Sequence, residues 1–80
     1  MKGIFAVYNN DVRNTVTRFV ETNIVEKILE AKQEGDYAII HLRIKEPHKI
    51  KNWTARFKQK GITHRQAADL LTLSFRNTRK

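Results

Sequence analysis

The sequence predicts an α+β fold: a small antiparallel sheet with one helix, followed by a C-terminal three-helix unit that contains a helix-turn-helix. Three observations lead there. Residues 4–8 and 37–45 are apolar runs with strand character, apolar residues after Pro47 recur at helical spacing, and positive charge collects in the second half. With 80 residues, 40% of them hydrophobic, the chain makes one core near the lower size limit for independent folding. A deep substrate cavity would compete with that core, so the expectation is a non-enzymatic protein.

The elements are read in order. Ile4 to Tyr8 is a strand, and Asn9, Asn10 and Asp11 signal a turn, because their side chains bond their own backbone. Residues 12–21 carry both patterns: Val12, Val16, Phe19 and Val20 fit a helical face, whereas Val12, Thr15, Val16, Thr17 and Val20 are β-branched. The β-branched count tips the reading to the second arm of a hairpin. Ile24, Val25, Ile28, Leu29 and Ala31 predict a helix over 24–34, with Asn23 and Glu26 at its start and Gly35 at its end. Tyr37 to Ile40, then Leu42 and Ile44, predict a central strand. Pro47 divides the chain into 1–47, a dimerisation or partner-binding region, and 48–80, three helices. Ile50, Trp53 and Phe57 mark the first of these, closed by Gly61, and two more follow over 63–72 and 74–80. No internal repeat, low-complexity stretch or linker is legible.

Charge points to a polyanion. Residues 1–40 hold five basic side chains against six acidic ones; residues 41–80 hold eleven against two, Glu46 and Asp69. Such asymmetry separates a neutral half from one that faces a polyanion, of which nucleic acid is the commonest. Without cysteine, disulfides and thiolate zinc sites are excluded. His41, His48 and His64 are too scattered for a metal motif, so neither metal nor cofactor is expected. No apolar run approaches a membrane span or a signal peptide, and the expected location is cytoplasmic.

The C-terminal third supplies the expected interface. Thr63 and Gln66 have capping-box spacing, Ile62 and Ala67 that of a hydrophobic staple, and Ala67, Ala68, Leu70 and Leu71 a buried face. Ala68, six residues before Ser74, is small enough for two helices to cross, and Ser74 can cap the next helix. That helix would present Phe75, Arg76 and Asn77 to base edges, arginine to guanine and asparagine to adenine. Lys58, Lys60, Thr63, His64, Arg65, Gln66, Ser74, Arg79 and Lys80 would hold phosphates and set register.

On these residues, segment 56–80 resembles the helix-turn-helix of Cro/repressor-type regulators. It is particularly similar to small phage-borne repressors associated with anti-CRISPR operons. The family's pattern has glycine where Thr72 stands and an apolar residue where Thr78 stands. The resemblance implies a transcriptional repressor that binds an inverted repeat in double-stranded DNA as a homodimer. It makes Thr63 to Leu71 the first helix of the motif and starts the recognition helix after Ser74. Two other readings stand beside it. The N-terminal sheet could dock on a host protein, making the chain an inhibitor or adaptor. Alternatively, segment 43–60 could bind or cleave RNA, with Glu46 and His48 as acid and base and Trp53 and Phe57 as stacking surfaces.

Overall fold

A computed structural model describes residues 6–79. Its elements run α1 (Asn10–Val20), β1 (Val25–Glu34), β2 (Tyr37–Ile44), a 3-10 helix (Pro47–Asn52), α2 (Thr54–Gln59), β3 (Thr63–Ala67) and β4 (Leu70–Arg76). The strands form one antiparallel sheet in the order β1-β2-β4-β3, with members from both sides of Pro47. The fold is thus a helix followed by a four-stranded sheet. The expected C-terminal three-helix unit is absent from the described residues, and with it the helix-turn-helix.

Residues 12–21 are helical, against the expectation of a strand. The Asn9 side chain accepts hydrogen bonds from the backbone N–H of Asp11 (2.9 Å) and Val12 (3.2 Å), a cap worth about 1 kcal/mol. Val12, Thr15, Val16 and Phe19 then fall on one buried stripe. Burying a side chain of this kind contributes roughly 1.5–3 kcal/mol, against at most ~0.7 kcal/mol for each poor helix former. Burial outweighs the β-branched penalty. The expected strand at 4–8 lies partly outside the described residues, and Ala6 to Asn9 carries no regular structure.

Residues 24–34 err the other way: the expected helix is strand β1. Its pairing with β2 is shifted between Val25 and Lys27 and again between Ile28 and Glu30. Each irregularity adds a residue on one strand only and breaks the period of two. The broken alternation imitates helical spacing.

The correction at 63–80 has the same origin. Leu71, Leu73 and Phe75 are buried while Leu70, Thr72, Ser74 and Arg76 alternate with them on the other face, a period of two. Leu70 beside Leu71 suggested a helical stripe. Thr63 and Gln66 sit on opposite faces of β3 and form no capping box; Gln66 Nε2 donates instead to the carbonyls of Pro47 and Ala68, each at 3.2 Å. Ser74 caps nothing and lies in mid-strand between Ile39 and Thr63. Ala68 is not a helix crossing but the first residue of a two-residue hairpin loop, at φ +54°.

One face of the sheet carries the core. Ala38, Ile40, Leu42, Leu71, Leu73 and Phe75 point to it, and α1, the 3-10 helix and α2 cover it with Val16, Phe19, Ile50 and Phe57. Phe19 meets Phe57 edge-on at 5.0 Å between ring centroids and Trp53 at 5.1 Å.

The halves of the fold repeat each other. α1-β1-β2 and α2-β3-β4 are both helix-strand-strand units, and the β2–β4 pairing joins them about Ile40 and Leu73, which face each other. Those two residues are 33 positions apart, as are Gln33 and Gln66, Gly35 and Ala68, Asp36 and Asp69, and Arg43 and Arg76. Hydrogen bonds repeat with the same shift. Asn77 N–H donates to the Asp36 carbonyl and Ile44 N–H to the Asp69 carbonyl, both at 2.7 Å. Gln33 Nε2 donates to the Gly35 carbonyl (2.9 Å) as Gln66 Nε2 does to that of Ala68. A pseudo-two-fold axis therefore passes through the centre of the sheet. It was not legible in the sequence because β1 is longer than β3 and few identities survive.

Candidate nucleic-acid interface

Strand alternation sends every second residue of the sheet away from the core. Those of β2 are Tyr37, Ile39, His41 and Arg43; pairing aligns them with Arg76, Ser74, Thr72 and Leu70 of β4, and through these with Thr63, Arg65 and Ala67 of β3. All are exposed or half-buried, and no helix among the described residues covers this face. Across these three strands the open face carries Arg43, Arg65 and Arg76 and no carboxylate. Strand β1 differs, placing Lys27, Lys32, Glu30 and Glu34 on the same face.

Electrostatics follow that division. Lys32 Nζ lies 3.1 Å from Glu34. The hydrogen bond to Glu34, then the charges of Glu34 and Glu30, raises the Lys32 ammonium above its ordinary pKa. The positive charge of Lys32 is thus locally neutralised. One row crosses all four strands as Glu30, His41, Thr72 and Arg65. His41 Nδ1 is 3.0 Å from the Thr72 hydroxyl, and its Nε2 is 3.9 Å from Glu30, which fixes the ring in mid-face. Arg43 Nε is buried without an acceptor. Among the described residues Arg43, Arg65 and Arg76 have no ion-pair partner, so their guanidinium groups are unneutralised.

The sequence-predicted residues are scattered over the fold. Thr63, Arg65, Ser74 and Arg76 come together on the open face. Phe75 is in the core and Asn77 is 4% exposed, so neither can touch a base. Asn77 instead pins the N-terminal segment: its Nδ2 donates to the Ala6 carbonyl (2.8 Å) and to Gln33 Oε1 (2.9 Å), and its Oδ1 accepts from Tyr8 N–H (3.0 Å). Lys58 and Lys60 belong to the helical side, Lys60 facing Asp11 at 3.7 Å. His64 and Gln66 point to the core side of β3, His64 against the Phe57 ring. Arg79 lies over the Tyr8 ring, and Lys80 is outside the described residues.

No family model, curated protein or solved structure matches the chain. Within the segment that carried the resemblance to repressors, residues 63–76 form a β-hairpin in place of the two helices of the motif. Sequence reasoning missed Arg43, His41 and Thr72. Arg43 and His41 were within reach, since the apolar even-numbered positions of the strand at 37–45 leave the odd-numbered ones outward. Among the described residues no group of three or more His, Asp and Glu could hold a metal ion, and no helix is long and apolar enough to cross a membrane. Glu46 pairs with Lys49 at 3.0 Å, which engages the carboxylate proposed as an acid or base.

Proposed function

We propose that the protein binds double-stranded DNA through the open face of strands β2, β4 and β3, and acts as a regulator by occupying its site. The observation that supports this most is the acid-free stretch of that face, with three unneutralised arginines among the hydroxyls of Thr63, Thr72 and Ser74. Arginine and hydroxyl side chains are the groups that hold phosphates and read base edges. Strands are known readers of DNA grooves.

The aromatic residues favour a duplex over a single strand. Unpaired bases are held by stacking on exposed rings. Here Phe19, Phe57 and Phe75 are in the core and Trp53 packs against it, which leaves Tyr37 at one corner as the aromatic ring of the open face. The major groove of an RNA duplex is too deep and narrow for side chains to read. The dimensions suit DNA: Lys32, on the adjoining edge strand β1, and Arg65 lie three strands and two residues apart, a Cα separation of roughly 16 Å from standard strand spacings. Side chains so placed straddle a major groove about 12 Å wide and reach the backbone on either side.

Fluorescence anisotropy with a labelled duplex at several salt concentrations tests the reading. In the triple variant Arg43→Ala/Arg65→Ala/Arg76→Ala, the slope of log K against log salt should fall by about 2.7, near 0.9 for each phosphate that is no longer neutralised. A single-stranded competitor should displace the duplex poorly. An unchanged slope would remove the open face from consideration.

A further inference from the structure

We infer that one copy of the chain lays its own pseudo-two-fold axis on a dyad of the duplex, and so occupies a quasi-palindromic site as a monomer. The inference rests on the open face being the DNA-binding surface, and it is carried by the internal repeat. The axis through Ile40 and Leu73 relates Arg43 to Arg76 and Lys32 to Arg65, so four of the five Lys and Arg side chains on that sheet face form two symmetric pairs, and Lys27 has no mate on β3. Arg43 and Arg76 lie at opposite ends of the β2–β4 pair, six residues apart in register, or roughly 20 Å. The two strands of a duplex are themselves related by two-fold axes, and palindromic sites mirror the two-fold symmetry of the proteins that read them. A homodimer is the usual source of that symmetry. Here two helix-strand-strand units in one chain supply it.

The pseudo-symmetry is broken in one respect that the DNA would feel. Glu30 and Glu34 on β1 occupy the positions of Thr63 and Ala67 on β3. Lys32 is engaged by Glu34, whereas its mate Arg65 has no carboxylate on its own strand or on the neighbouring β4. The β3 side therefore grips its half of the site more firmly than the β1 side does.

The symmetrised variant Glu30→Thr/Glu34→Ala removes from β1 the two carboxylates that β3 lacks. In the wild type, Arg65→Ala should weaken duplex binding more than Lys32→Ala. In the symmetrised variant overall affinity should rise, about threefold for each carboxylate removed from an exposed position, and the costs of the two alanine substitutions should then converge, leaving only the difference between an ammonium and a guanidinium. Selection from a random duplex library, with stoichiometry measured by sedimentation, supplies an independent reading on the wild type. One protein per duplex on an inverted quasi-repeat is the expected result. Two proteins per minimal site, a site without inverted symmetry, or a difference between Lys32→Ala and Arg65→Ala that does not shrink after symmetrisation overturns the inference and leaves the open-face reading standing. Duplex binding that ignores the open-face arginines, or no duplex binding, overturns both.

Discussion

The two helix-strand-strand halves share a scaffold and differ in what they show to solvent. Inward, they match: Ile40 with Leu73, Leu42 with Phe75, and Phe19 with Phe57 do the same work in the core. Outward, their edge strands diverge, β1 setting Glu30 and Glu34 beside Lys27 and Lys32, and β3 carrying Arg65 with no carboxylate. A strand separates these demands because its two faces touch different surroundings. Core residues are held by packing, which punishes change, while outward residues are free to take up binding chemistry.

The strongest challenge to this comparison is a cavity at the axis. Ile40→Ala and Leu73→Ala should each lower the unfolding free energy by about 2–5 kcal/mol in urea denaturation, and by similar amounts. A large inequality would mean that the halves do not share the core evenly. Next comes a position where the halves part company. Ile44 is an apolar core residue, whereas its mate Asn77 is buried and fully engaged in hydrogen bonds. Asn77→Ala leaves the Ala6 carbonyl and Tyr8 N–H without partners, so stability should fall by about 1–3 kcal/mol. Amide exchange at Tyr8 should accelerate in parallel.

The hairpin loops give a smaller contrast. Gly35 and Ala68 hold the same loop position at φ +58° and +54°. Alanine in the left-handed region costs roughly 1–2 kcal/mol, of which glycine's extra freedom in the unfolded chain returns a part. Ala68→Gly should therefore raise stability by less than about 1 kcal/mol, and Gly35→Ala should lower it by a comparable amount, read from thermal melts. The smallest effect is electrostatic. The raised Lys32 pKa stabilises the fold while lysine is protonated in the unfolded chain, and that contribution disappears as pH rises through the folded value. The Lys32 ammonium is open to solvent, so an NMR titration of its side chain should register the change while the melting temperature hardly moves.

Several features were legible from local pattern. Tyr37 to Ile44 reads as a strand because its even positions are apolar without interruption, and Ile50, Trp53 and Phe57 read as helical because Pro47 and Gly61 bracket them. Four of the candidate site residues, Thr63, Arg65, Ser74 and Arg76, lie together on the open face, on a different element from the one expected. Their charge and hydrogen-bonding capacity are properties of the side chains and survive the change from helix to strand. Phe75 and Asn77 did not survive it, since moving one residue along a strand moves the side chain to the opposite face.

The sequence by itself determined a single small core, an excess of positive charge in the second half, and the side-chain chemistry suited to a polyanion. Tertiary structure decided that Asn10–Val20 is a helix, that Val25–Glu34, Thr63–Ala67 and Leu70–Arg76 are strands, and that the arginines share an open face. The reason is one of magnitude and range. Local propensities differ by tenths of a kcal/mol, whereas burial against partners about 30 residues away, as in the β2–β4 pairing of Ile40 with Leu73, contributes several times more.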